Sequence, residues 1–529
     1  MPERVVVIGL DGADWRIIRP LIESGVMPNL QHLIENGVSG ALESTIPTHS
    51  NTAWVSFMTG VNPGAHGVFS FLERAKDDPM RLVGVNSRSN KRETIFSVLS
   101  RQDYVVGAVN VPVTYPPFAV NGFLLSGMFV PEGAPYTHPI SLANEIDDAV
   151  GGFPLNKIRW RFMPHQYREL LEEAIEVNQQ RARVLEYLMD HKRWDVYAQV
   201  FVSPDRIQHA MMHMIDPCHP RYRDDEATEY RELIRAFYGS LDEMLGQVIE
   251  RTDRDGLSLI VLSDHGFQPC DREMYISEIL TEHGLMVRSQ RRVLNRRVRR
   301  MVRQALGVSA SRNRPARGPQ VGLDVDWSRT RAYVTTSTDQ GVSVNLDGRE
   351  PYGVVNTNEE YDRVREEIRS TLLALRDPET GAVLIDAVWF REQIYHGLCL
   401  EQAPDVVFVP ADGLTPVSEQ HRNLAPTEVR TGEHALDGII VGYGQAFKRG
   451  AVLHDAKLID LAPTILYLAG ASIPEDLDGR VLADALIPHV MQGREISYER
   501  AAAMSGAGRE YSELEEAQVA EQLRGLGYI

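Results

Sequence analysis

Seven polar residues spread over more than four hundred positions have the side chains and settings that chemistry needs. Asp11, Asp205, His209, Asp264, His265 and His434 are carboxylates and imidazoles, and Ser50 is a hydroxyl. Asp264 and His265 are adjacent and followed by Gly266, so a backbone bend there can turn both side chains to one ion. Asp205 and His209 stand four apart. On the first turns of a helix both point to the same side, as two ligands of one metal must. His213 and His219 are near enough in sequence to compete with His209, and spacing alone does not choose among them. His434 by itself carries little signal. Mixed carboxylate and imidazole donors suit Zn²⁺ best, with Mn²⁺ or Fe as alternatives. Ser50 lies in Ile46-Pro47-Thr48-His49-Ser50-Asn51-Thr52, a polar loop leading into a helix. A helix N-terminus favours a bound phosphate, and a metal held by Asp11, Asp264 and His265 would lower the serine pKa enough to make it a nucleophile. Each residue also has a plainer reading. Asp11-Gly12 fits a turn, Asp205 a helix cap, and His209 a half-buried imidazole.

The elements that must position these residues are read from periodicity. Val5–Leu10 is a β-branched run ending at Asp11, and Ser258–Leu262 ends at Ser263-Asp264-His265-Gly266. The other strand-like runs are Tyr104–Val109, ending at Asn110, Val196–Val202, ending before Asp205, and Ile439–Val441, which follows His434. Helical patterns lie between them, at Tyr167–Asp190 and Tyr230–Ile249, and Pro28-Asn29 opens another that Gly37 stops. Strands alternating with helices predict an α/β fold with a doubly wound, mainly parallel sheet. Such sheets place chemistry at the carboxyl ends of their strands, where most of these polar residues fall.

Residues 1–287 read as the first part of that core. Residues 288–324 read as a basic insertion, with eleven arginines and no acid from Arg288 to Arg317. That stretch is either a solvated helix and loop or a contact surface for a phosphate-rich substrate or anionic partner. Residues 325–415 read as an inserted smaller lobe with strands Ala332–Thr335 and Val342–Leu346 and a helix near Glu359–Leu375. Asn345 and Arg349 there could close over a substrate, although Arg349 beside Glu350 also fits a surface ion pair. Residues 416–496 complete the core, and 497–529 form an acidic tail with a helix at Ser512–Leu523.

Bulk properties exclude several classes. The 529 residues are 43% hydrophobic and 24% charged, as in an ordinary globular protein. The net charge of −18 argues against non-specific nucleic-acid binding by the whole surface. No run of about 18 apolar residues occurs, so no membrane span is expected. The start, MPERVVVIGLDG, is unlike a signal peptide, and three scattered cysteines suggest a reducing compartment. A cytoplasmic location is the resulting expectation, with self-association left open.

Taken together, Asp11-Gly12, Pro28-Asn29-Leu30, Pro47-Thr48-His49-Ser50 and Met58-Thr59-Gly60-Val61-Asn62-Pro63-Gly64-Ala65-His66-Gly67 resemble the alkaline phosphatase superfamily. Within it they resemble the type I phosphodiesterase/nucleotide pyrophosphatase family. Asn110–Pro117, Asp205-Arg206-Ile207-Gln208-His209, Ser263–Phe267 and Asp460–Thr464 resemble a prokaryotic subgroup described as phosphohydrolases or phosphomutases. The likeness runs from about residue 4 to 484. It implies an alkaline phosphatase-like core and a two-metal hydrolase of phosphodiester or nucleotide pyrophosphate bonds, working through a phosphoserine. It implies one metal on Asp11, Asp264, His265 and the Ser50 oxygen, and another on Asp205, His209 and His434. A phosphomonoesterase or phosphomutase is the alternative within this chemistry, and a non-catalytic metal-bound scaffold the alternative outside it. Sulfatases share the fold, but Ser50 is not followed by their X-Pro-X-Arg pattern.

Two departures bear on substrate. Ala53 stands where the resemblance implies a phosphate-binding asparagine, and His49 precedes the nucleophile where lysine is frequent. Asn110 is a candidate to supply the lost amide, or else a turn residue before Pro112.

Overall fold

The computed structural model describes residues 3–155, 166–289, 321, 325–335, 340–417, 424–427, 430–501 and 511–525. Beyond Arg288 and Ser289, the arginine-rich stretch lies outside the described residues.

Nine strands build the central sheet. In chain order they are β1 (Val5–Leu10), β2 (Val38–Glu43), β3 (Val106–Val111), β4 (Gly122–Ser126), β5 (Thr137–His138), β6 (Val196–Phe201), β7 (Ser258–Leu262), β8 (Asp437–Gly444) and β9 (Ala451–Lys457). Across the sheet they run β9-β2-β8-β7-β1-β6-β3-β4-β5. The five central strands β7, β1, β6, β3 and β4 are parallel. β8 runs antiparallel to both its neighbours, and β5 is an antiparallel edge. The expected mainly parallel α/β sheet is what forms. The strand expected at Tyr104–Val109 is displaced to Val106–Val111, so Asn110 lies within it rather than after it.

β1 shows why the sheet is covered on both faces. All six of its residues are buried. Val5 and Val7 enter one apolar cluster, with Ala53, Trp54 and Phe57, while Val6, Ile8 and Leu10 enter the other, with Leu30, Ile207 and Leu241. Successive side chains of a strand point to opposite faces, so one unbroken apolar run serves two cores. Each such side chain contributes roughly 1.5–3 kcal/mol on burial.

The helices that frame the site are α1 (Pro28–Asn36), α2 (Ser50–Thr59), α3 (Tyr167–His191), α4 (Ser203–Ile215) and α5 (Asp224–Asp255). α2 packs in the first cluster, and α1, α3, α4 and α5 in the second. α5 is six residues longer at each end than its pattern suggests, from Asp224 to the left-handed cap Gly256. Asp224, Asp225 and Glu226 complement the positive end of its dipole.

A smaller sheet, ordered Ala332–Tyr333, Gly341–Val344, Val406–Pro410, Ile385–Phe390, packs with the helix Glu359–Ala374 around its own apolar cluster. That cluster also takes in Met274, Ile276, Ile279, Leu280, Leu285 and Met286. The core of this lobe therefore begins upstream of residue 325, because the strand Gly266–Tyr275 carries the chain out of the central sheet and into it. Buried Asp405 ties the lobe together, accepting from Arg349 at 2.6 and 2.8 Å, Tyr361 at 2.6 Å and the Val344 N–H at 2.7 Å. Arg349 also pairs with Glu350, and Asn345 donates to three backbone carbonyls. Both are structural residues of the lobe. The tail helix, Glu513–Gly525, buries Val519 and Leu523 against the first cluster. Among the described residues no helix is long and apolar enough to cross a membrane.

Candidate active site

β1, β6 and β7 end level with one another. Leu10 is paired with Phe201, and Gly9 with Leu262. The residues after these strands therefore arrive at one place: Asp11 after β1, Asp205 on the first turn of α4 after β6, and Asp264-His265 after β7. His434 comes from the strand Gly432–Ala435, which pairs antiparallel with Gly266–Tyr275 and sets His434 opposite Phe267. Ser50 is the first residue of α2. All seven residues are buried.

They form two groups around the serine. Asp11, Asp264 and His265 make one and Asp205, His209 and His434 the other, with the offered donor atoms of each group within 4.8 Å of one another. Ser50 Oγ lies 3.2 Å from His265 Nε2. The His265 and His434 rings stack at 3.8 Å, so the groups share a wall. His213 and His219 stand outside. His213 packs on Tyr167, and His219 Nε2 bonds the carbonyls of Thr431 and Cys270. Of the three histidines, His209 is the one that stands beside Asp205 and His434.

The hydrogen bonds behind the imidazoles decide what their front atoms can do. His209 Nδ1 lies 2.7 Å from Gly432 O, His434 Nδ1 2.6 Å from Thr48 O, and His265 Nδ1 3.0 Å from Gly266 O. A carbonyl only accepts, so each Nδ1 donates and Nε2 is the ring atom turned to the site. This is how ligating histidines are oriented. His209 Nε2 and His434 Nε2 are 3.0 Å apart and both face Asp205 Oδ1, at 3.3 and 3.2 Å. Burial, and then the neighbouring His265, lower the pKa of His434 to about 3, so this ring is neutral at ordinary pH. Two ring nitrogens that close need a proton or a metal ion between them.

The carboxylates say the same. Asp11 Oδ1 and Asp264 Oδ2 are buried with no hydrogen-bond partner among the described residues. Orphaned acceptors of this kind mark places for an ion. Burial raises Asp264 to about 8, with Asp205 adding to it, and burial together with Asp264 and Asp205 raises Asp11 well above the usual range. Asp205 behaves oppositely. Burial pushes it up, but His209 and Arg206 beside it hold it well below the ordinary value. The donor sets fit divalent ions on chemistry, spacing and unsatisfied acceptors.

Several positioning residues leave little trace in the sequence. Trp54, one turn along α2 from Ser50, donates from Nε1 to Asp11 Oδ2 at 3.0 Å. The Gly12 N–H donates to Asp264 Oδ1 at 3.1 Å. Ser263 Oγ donates to Ala13 O and accepts from the Ile439 N–H, fastening the turn after β7 to β1 and β8. Arg206 Nη1 contacts Asp205 Oδ2 at 2.9 Å. Trp54 and Arg206 lie inside recognisable motifs, and their nearness to Ser50 and Asp205 along the chain is the only signal they carry.

The candidate substrate residues fare differently. His49 is buried with its ring 5.6 Å from Phe71 and 6.5 Å from His434, beside the serine. Asn110 is buried in a left-handed conformation, and its amide donates to Val200 O at 2.8 Å. That bond uses one of its two amide N–H groups to hold β3 on β6.

The model of the type I phosphodiesterase/nucleotide pyrophosphatase family matches residues 5–437. The chain belongs to this family. It is accordingly a metal-dependent phosphohydrolase of the alkaline phosphatase superfamily. Among solved structures it is similar to human ectonucleotide pyrophosphatase/phosphodiesterase 5, with 12% identity over 92% of this chain and 100% of that one and a TM-score of 0.51. The murine protein, in an inactive form in complex with AMP, gives 14%, the same coverage and 0.51. Phosphonoacetate hydrolase from Sinorhizobium meliloti in complex with phosphonoacetate gives 16% over 89% and 96%, with 0.50. At these identities the likeness is one of fold. No curated protein matches the chain.

Proposed function

We propose that this family member cleaves phosphodiester or nucleotide pyrophosphate bonds with Ser50 as nucleophile. Asp11, Asp264, His265 and the Ser50 oxygen would hold one divalent ion, and Asp205, His209 and His434 another, with Zn²⁺ the best fit and Mn²⁺ the alternative. The observation that carries this is the placement of Ser50 Oγ, 3.2 Å from His265 Nε2 and beside two buried donor sets. Ions bound there supply the positive charge that ionises the serine and offsets charge on the leaving oxygen.

The residues of the chain do the rest. The first N–H groups of a helix have no acceptor within it, so the start of α2 offers donors and a positive dipole end to phosphoryl oxygens. Ser50 Oγ attacks phosphorus, the ester oxygen departs, and water then hydrolyses the phosphoserine. Trp54 and the Gly12 N–H fix Asp11 and Asp264, so little reorganisation is needed in the transition state. Burial of all seven residues excludes bulk water and strengthens each electrostatic contact. His49 is the side chain next to Ser50 best placed to meet the phosphoryl group. The AMP bound to the murine relative makes a nucleotide the first substrate to try.

Metal content and turnover of two chromogenic esters test the reading. Two ions per chain with faster cleavage of bis(p-nitrophenyl) phosphate than of p-nitrophenyl phosphate support it. The reverse preference makes the enzyme a monoesterase or mutase. No bound ion and no turnover after adding Zn²⁺ or Mn²⁺ leaves a scaffold. Ser50→Ala is expected to keep its metal and lose turnover, and near-normal turnover would remove Ser50 from its role.

A further inference from the structure

The two donor sets differ in a way their ligand count hides. The first holds two carboxylates, Asp11 and Asp264, and one imidazole. Neither carboxylate forms an ion pair with Lys or Arg among the described residues. Asp11 Oδ2 accepts from the neutral Trp54 indole, and Asp264 Oδ1 from the Gly12 N–H. The second set holds one carboxylate and two imidazoles. Its single carboxylate, Asp205, is divided. Oδ1 faces His209 and His434, while Oδ2 lies 2.9 Å from the Arg206 guanidinium. Both members of that pair are buried, with side-chain exposure of 3% and 2%, so water does not screen it. Glu433, the other acid beside His434, is paired with Arg430 at 2.9 Å. With both carboxylates ionised, as a bound cation requires, the first set presents two negative charges, and the second, with its arginine, close to none.

We propose that the two positions hold their ions unequally: the Asp11/Asp264/His265 position fills first and holds tightly, and the Asp205/His209/His434 position, discharged by Arg206, is the exchangeable one. This rests on the two-ion reading above and deepens it. Arg206 has two effects on that second position. It fixes Asp205 so that one oxygen faces the ion, and it weakens the field that holds the ion. The ion that would face the leaving group is then the one that tracks supply. The enzyme is complete only when free metal exceeds the weaker dissociation constant, and a brief encounter with a chelator leaves it half-loaded and idle.

Calorimetric titration of the metal-stripped full chain with Zn²⁺ tests this, with metal analysis after brief chelation. We expect two classes of one ion each, with dissociation constants at least about tenfold apart, a modest figure for two unit charges of difference in a buried site. Asp264→Asn should remove the tight class. Arg206→Gln should tighten the weak class and bring the two within roughly threefold of each other. Two equal classes in the wild type would overturn the inference and leave the two-ion reading standing. A weaker second class in Arg206→Gln would overturn the discharging role. Loss of the weak class in Asp264→Asn would overturn the assignment of positions. Failure to bind any zinc would overturn both the inference and the reading beneath it. If a variant does not fold, equal classes in the wild-type isotherm still overturn the inference.

Discussion

Replacing Gly9 with alanine should damage the site from two residues away. Gly9 sits on β1 just before Leu10 and Asp11, and a Cβ there would lie 2.4 Å from Trp54 Cη2 and 3.0 Å from Val200 Cγ2. Trp54 is fully buried, lies edge-on to Phe57 with ring centroids 5.4 Å apart, and donates to Asp11 Oδ2. It cannot retreat without giving up that bond. Overpacking of this kind costs about 1–3 kcal/mol. Losing the hydrogen bond to Asp11 adds about 0.5–1.5 kcal/mol. Gly9→Ala should therefore destabilise the protein by about 2–4 kcal/mol, allowing for partial relaxation. Trp54→Phe loses the same bond, and its smaller ring leaves a gap, for about 3 kcal/mol. The phenyl ring has no Cη2, so in the double variant the added methyl occupies space the indole has left. Urea unfolding of the four metal-free proteins measures the cycle. The double variant should be at least about 1.5 kcal/mol more stable than the two single effects predict by addition. Additivity within about 0.5 kcal/mol would show that the Gly9–Trp54 contact is not what excludes a side chain, and the reasoning would fail. In both single variants the first zinc should bind more weakly than in the wild type.

Removing the metal should make stability depend on pH with a definite sign. The Asp264 pKa is raised to about 8 in the fold, against about 3.9 in an unfolded chain, so its protonated form favours folding. That contribution is complete below the unfolded pKa and is lost as pH rises through about 8. Metal-free protein should accordingly lose stability between pH 5 and pH 8, roughly the interval bounded by those two values, and zinc should remove the slope. A metal-free protein that gains stability over that range would contradict the burial argument. Asp405→Ala should leave Arg349 and Arg391 without their buried partner and loosen the lobe by about 3–5 kcal/mol. Limited proteolysis should then cut within 340–417 well before the central core. Asp242 accepts from the N–H groups of Asn29 and Leu30 at 3.0 and 2.9 Å, so Asp242→Ala uncaps α1 and should cost about 1–2 kcal/mol in urea unfolding.

The parts of the molecule that are legible in its sequence are those where one local pattern answers one demand. Val5–Leu10 and Ser258–Leu262 are apolar without interruption because both their faces are buried, and both bounds agree with the structure. Asp205 and His209 fall together because i,i+4 spacing is a property of the helix itself. Other features depend on partners distant in the chain. β2, Val-Ser-Gly-Ala-Leu-Glu, has neither alternation nor an apolar run, because it lies next to the sheet edge between β8 and β9. Gly40 is there for close approach, since a Cβ would meet Leu453 O at 2.3 Å. The long strand Gly266–Tyr275 is hidden by its polar, half-exposed residues. Asn110 reads as either a phosphate donor or a turn residue because its position after an apolar run is visible in sequence and its bond to Val200 is not. His434 has no signal of its own, because the pairing that places it, with Phe267, spans much of the chain.

That last pairing has a consequence for the order in which a newly made chain acquires its parts. Asp11, Asp264 and His265 are all present once the ribosome has passed the end of β7. His434 emerges about 170 residues later, and at about 5–20 residues per second that is a delay of roughly ten to thirty seconds. During that interval Asp205 and His209 exist without the strand that carries His434 and without the Gly432 carbonyl that sets the His209 tautomer. The emerging chain can offer one ion its full set of protein side chains while the second position is still missing a third of its own. On the proposed assignment the first ion's side chains are thus complete before the second's, while the Ile439 N–H that fastens the turn carrying Asp264 and His265 arrives only after His434.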